Sequence, residues 1–168
     1  MQADFLSSGS YTANVAGLSA GTTSTISTAN IIHYFINSDG KTKAAVTNQA
    51  TPTTDIVTGL AFVAVTPTAS VGKACAYTLG LDASGNIVAA QGNIVDWDGA
   101  TTAPSYGFGN QVPKAPNLSA TYAPFGVILV RNAAGSSAFT FGTTSFAQSG
   151  LSNVFHSVGF IPARPFLT

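Results

Sequence analysis

Glutamate is absent from this chain, and its six acids are all aspartates: Asp4, Asp39, Asp55, Asp82, Asp96 and Asp98. Met, Leu and Lys are sparse as well, so most strong helix formers are missing. Charged residues make up 7% of the chain, against about 25% in an average soluble domain. Six bases cancel the six acids, which leaves no electrostatic footprint for phosphate backbones or anionic lipid. Neither nucleic acid nor a membrane surface is therefore expected as a partner. Long hydrophobic runs are also lacking. Mean hydropathy is +0.31, yet the longest apolar stretches, residues 60–65 and 125–130, fall far short of the roughly 18 residues a spanning helix needs. The single cysteine, Cys75, excludes an internal disulfide and a cysteine-rich zinc site. Flanked by Ala74 and Ala76, it is expected as a small buried hydrophobe. The first residues show no basic start followed by an apolar block, so synthesis in a cytoplasm is expected.

What is present is Thr, Ser, Val, Phe and Gly, residues that suit pleated strands and tight turns. With 168 residues and 45% hydrophobic composition the chain can bury a conventional core without disulfides or metal. The composition predicts an all-β protein, a sandwich or barrel of short antiparallel strands with an extended N-terminal arm.

Residues 1–30 keep neither helical nor strand periodicity and are expected as that arm, either disordered or laid along another surface, with Phe5, Leu6 and Tyr11 as its anchors in the second case. Residues 31–168 form the expected β-rich domain. Its first hairpin runs through residues 31–36 and 41–46 about a turn at Ser38, Asp39 and Gly40. A second joins residues 73–81 to 87–91 through Asp82-Ala83-Ser84-Gly85-Asn86, with Gly80 marking a bulge. A third is expected between residues 125–131 and 138–141, and a last strand over residues 151–158. Near residues 99–124, Gly99, Pro104, Gly107, Gly109, Pro113, Pro116 and Pro124 mark a long loop, expected as a second extended contact element.

Motifs for chemistry are few. His33 and His156 have no second histidine or acid at ligand spacing, and Gly-x-Ser-x-Gly is missing. Asp96 and Asp98 lie two apart, about 6.5 to 7 Å on a strand, within reach of a glycosidase carboxylate pair; a hairpin turn at Asp98-Gly99 with Asp96 as an exposed flank is the preferred reading. Trp97, Tyr106 and Phe108 offer a sugar platform if the chain belongs to a host- or glycan-binding fibre or tail. No enzyme activity, metal or cofactor is expected. The stronger signal is the shortage of ions: a surface this neutral favours association, so much of it is expected to be covered by neighbouring chains.

The stretch Leu79-Gly80-Leu81-Asp82-Ala83-Ser84-Gly85-Asn86, with Ala90-Gln91-Gly92, Pro124-Phe125-Gly126-Val127-Ile128-Leu129-Val130, Phe139-Thr140-Phe141-Gly142-Thr143 and Ile161-Pro162-Ala163-Arg164-Pro165, resembles small virion proteins of tailed bacteriophages, the capsid decoration or cement proteins most of all. The likeness spans about residues 31–165 and lies in the order and spacing of turns. It implies a non-enzymatic β-rich protein on the capsid surface of the virion, a homotrimer that binds the major capsid protein and reinforces contacts between its subunits. No catalytic residues carry over. Where the motif has an acid before its arginine, this chain has Ala163, so a salt bridge at Arg164 within the motif is not implied.

Overall fold

The structure, a computed structural model, describes residues 10–99 and 111–159. Among them the chain forms eleven strands and no helix: β1 (Tyr11–Thr12), β2 (Leu18–Ala20), β3 (Thr25–Thr28), β4 (Ile32–Ile36), β5 (Asp39–Lys43), β6 (Gln49–Ala50), β7 (Gly72–Leu81), β8 (Ile87–Gln91), β9 (Val95–Trp97), β10 (Ala123–Asn132) and β11 (Leu151–Ser157). The protein is all-β, as its composition predicts. A five-stranded sheet has the order β11-β10-β7-β8, with β9 also on β7, and two three-stranded sheets have the orders β1-β4-β5 and β2-β3-β6. Every strand pairing is antiparallel, and the arrangement is compatible with a sandwich.

The first two hairpins follow from local chemistry. In β4, Ile32, Tyr34 and Ile36 are buried while His33 between them is exposed, the period-two pattern of a half-buried strand. Its turn is Asn37-Ser38, both at positive φ (49° and 70°), one residue earlier than the sequence suggests. A two-residue turn of this hand matches strand twist, and asparagine tolerates the left-handed region. Asp39 and Gly40 consequently belong to β5, opposite Ile36 and Phe35. Between β7 and β8, Asp82 Oδ1 accepts the backbone N–H groups of Ser84 and Asn86, each at 2.8 Å, and Gly85 takes φ +80°. The bulge lies on the strand facing Gly80: the β10 register shifts between Pro124 and Gly126, opposite Gly80 and Leu79.

Two expectations are corrected. Residues 138–141 are not the partner of β10. That place is taken by β11, in register from Gly126↔Ser157 to Asn132↔Leu151, and Phe139 makes an isolated bridge to Val65. The alternation of Phe139 and Phe141 serves the core instead: both are fully buried, and Phe141 stacks on Tyr77 with ring centroids 4.5 Å apart. The arm is the second correction. Residues 1–9, Phe5 and Leu6 included, lie outside the described residues, but from Ser10 onward the segment is part of the framework. Tyr11–Thr12 pairs with β4, Leu18–Ala20 with β3, and Ala16, Leu18 and Ile26 enter the main core. Strands of two to four residues carry too few alternations to be recognised; their position comes from tertiary packing.

Replacing Ile26 by alanine should cost about 3 kcal/mol in urea unfolding, the cavity cost of a fully buried aliphatic side chain. A loss below about 1 kcal/mol would show that this segment lies outside the core.

Candidate interaction surface

From residue 44 to 72, Asp55 is the single ionisable side chain, and it is buried. It acts as an internal anchor for a surface turn. Its Oδ1 accepts the N–H of Val57 at 2.7 Å, its Oδ2 accepts the N–H of Gln91 at 3.2 Å, and its carbonyl accepts the N–H of Gly59 at 2.8 Å. Gly59 stands at φ +72°, which reverses the chain so that the N–H of Asp55 reaches the carbonyl of Leu60. Farther along, the side-chain amide of Gln91 takes the place of a strand partner: Oε1 accepts the N–H of Val63 at 2.8 Å and Nε2 donates to its carbonyl at 2.7 Å. With Ile56 donating to the carbonyl of Ala89 at 2.9 Å, the segment closes the free edge of β8.

The consequence is a turn fixed from beneath that holds apolar side chains in water. Val57, Leu60 and Val63 are 65%, 69% and 65% exposed, while Phe62 and Val65 beside them are buried. Phe62 packs edge-on against Tyr77 and Phe141, so the alternation of Phe62 inward and Val63 outward is set by the aromatic core. Next to the turn a shallow depression of about 340 Å³ is lined by Asp55, Thr58, Val63, Gln91, Gly92 and Ile94. Such an array of aliphatic side chains is a contact surface in physical terms, because removing it from water is favourable and strands no charge. Val15, Ile31 and Val158 are also exposed; Asn14 donates to the carbonyl of Ile31 at 2.7 Å, and Gly159 lies against Asn14 and Val15.

The residues singled out in the sequence are distributed differently. Tyr11, expected as a capsid anchor, stacks on Phe35 with centroids 4.8 Å apart, so its ring is engaged within the chain. Trp97 is 5% exposed and cannot serve as a sugar platform. Strand β9 pairs with β7 so that Trp97 lies opposite Gly72, and the indole packs with Ala74, Val95 and Ala133. Tyr106 and Phe108 lie outside the described residues. Asp96 forms an ion pair with Lys73. Among the described residues no group of three or more His, Cys, Asp or Glu gathers into a metal-ligand set. The described part of the long loop, residues 111–122, lies over β7 and the residues that follow β8: Thr78 Oγ1 donates to the carbonyl of Pro116 at 2.7 Å, and the N–H of Lys114 donates to Asn93 at 2.8 Å. Cys75 is buried as expected, and burial pushes its thiol up to about 11. Comparison with protein families, curated proteins and solved structures finds no match to this chain.

Sequence reasoning passed over Asp55 and Gln91. The signal available was an aspartate four residues before a glycine, isolated in an otherwise uncharged stretch. Asp55→Ala should remove the acceptors of two part-buried donors, destabilise the fold by about 2 kcal/mol, and speed amide exchange at Val57 and Gly59 before the rest of the molecule; uniform exchange across the chain would contradict the anchoring role. The thiol supplies a pH test. Its protonated form is favoured by folding, so this contribution is intact below pH 9 and is lost as pH rises toward about 11. Folded protein should resist iodoacetamide at pH 8, and Cys75→Ala should flatten the alkaline fall in unfolding free energy; rapid alkylation without unfolding would show an accessible thiolate.

Proposed function

We propose that this protein is a non-enzymatic structural component of a tailed-phage virion, a homotrimer that binds the outer capsid surface and reinforces contacts between major capsid subunits. The observation that carries the reading is the anchored turn with Val57, Leu60 and Val63 held outward. A flexible apolar loop would collapse onto its own surface; this one is prevented from doing so by the buried carboxylate and amide below it. Covering three aliphatic side chains already two-thirds exposed is worth about 4 kcal/mol per copy before the cost of association. That is modest for one copy and ample for three acting together, since the first contact raises the effective concentration of the others. The surrounding uncharged Ser, Thr and Asn surface is cheap to desolvate and suits flat, repeated contacts.

The alternative, a glycan- or host-binding module of a head fibre or tail, loses support because the indole of Trp97 is turned into the protein. It retains Tyr106 and Phe108, which lie outside the described residues.

The reading is tested by mixing the purified chain with phage heads stripped of their outer proteins and sedimenting them. Wild-type protein should co-sediment and raise the temperature at which heads rupture. Leu60→Asp with Val63→Asp should lower occupancy at least tenfold without lowering the melting temperature of the free protein, because both side chains already face water. Heads that bind neither form, or both equally, would contradict it.

A further inference from the structure

Arg131 sits near the end of β10, opposite Ala74 of β7 and Ser152 of β11, and is 8% exposed. Its guanidinium carbon lies 5.8 Å from the ring centroid of Trp97. No hydrogen bond or ion pair reaches it from the described residues, and Nε is fully enclosed without a partner. Four described carboxylates are committed elsewhere: Asp39 to Lys41, Asp96 to Lys73, Asp82 to its own turn, Asp55 to Val57 and Gln91.

An enclosed cation without a counter-ion is costly, and the indole face offsets only part of that cost. What remains is a planar fork of donors held over the ring of Trp97, which itself packs with Val95, Ala74 and Ala133. We infer that this fork is a receptor for one carboxylate, an aspartate or glutamate side chain presented by a neighbouring protein chain. A single positive charge balances a single carboxylate, whereas a phosphate dianion would need further cations. The same sheet face continues through half-buried Val127, Leu129 and Val154, so an arriving acid would bring its own chain against apolar ground. Arg and Trp together are also the residue types that most often dominate interface energetics. The inference is independent of the capsid reading, because it names the chemistry of the partner and not the particle that supplies it.

Trp97 is the single tryptophan, so its emission reports on this site directly. Titrating the full chain with the blocked tripeptide acetyl-Glu-Leu-Glu-amide should change that emission saturably, and acetyl-Gln-Leu-Gln-amide should not. The Nε–H resonance of Arg131, assigned by its disappearance in Arg131→Lys, should move in the same titration. Arg131→Gln should weaken the glutamate peptide at least tenfold with an unchanged near-ultraviolet circular dichroism spectrum. Equal responses to both peptides, a stationary Nε–H resonance, undiminished binding by Arg131→Gln, or tighter binding of inorganic phosphate than of the peptide would each overturn the inference. Should Arg131→Gln fail to fold, the wild-type resonance decides the question alone.

Discussion

From Ala74 to Leu81 every residue of β7 is out of water, on both faces of the sheet, and the rest of the architecture answers that constraint. A strand buried twice needs neighbours along both edges and cover above and below. The edges are filled by β10 on one side and by β8 and β9 on the other. On the inner face Cys75, Tyr77, Leu79 and Leu81 meet Ile32, Tyr34 and Ile36 of β4, Leu18, Ile26 and the phenylalanine cluster. The outer face is covered by residues 111–122, and the approach is close enough that a Cβ on Gly80 would meet the side chain of Leu118 and one on Gly92 the carbonyl of Lys114. The extended, proline-rich segment is thus a lid over a strand across its described part. The glycines at 80 and 92 let it lie flat.

This arrangement explains where the sequence is legible. The fold class, the β4-β5 hairpin and the β7-β8 hairpin are written in local patterns: alternating burial in Ile32, Tyr34 and Ile36, and turn chemistry at Asp82 and Gly85. What depends on distant partners is not written there. Phe139 and Phe141 have the same alternation whether they pair with β10 or fill a core, and only the position of Tyr77 decides between them. Residues 11–28 look too polar for a core, yet Ile26 and Ala16 suffice because other elements supply the remaining contacts. Trp97 beside two aspartates resembles an exposed binding residue until its strand is placed against Gly72. Arg131 reads as the charged end of an apolar strand, and nothing local reveals that its guanidinium is enclosed.

The surface divides into places where charge is used and places where it is withheld. The β5 edge carries Asp39, Lys41 and Lys43, with Lys41 paired to Asp39 at 2.8 Å and Lys43 bonded to the carbonyl of Gly85 at 2.9 Å. Such an edge resists pairing with another sheet. Around residues 55–63 the chain does the reverse: it buries its one carboxylate and sets aliphatic side chains outward. A chain shielding itself from all partners would have no reason to treat the two regions differently. Under the proposed function this contrast reads as selective association, in which edge-to-edge contact is discouraged and one firm apolar face is offered to another chain.

That claim is tested most directly by hydrogen exchange at the amides of Val57, Gly59, Leu60 and Val63, compared between the free protein and the protein on assembled heads. Exchange at these four positions should slow markedly in the assembled state, while the amides of β5 keep their free-protein rates. Unchanged exchange across residues 55–63 together with protection along β5 would contradict the account, because the partner would then be held by the charged edge and not by the anchored apolar turn.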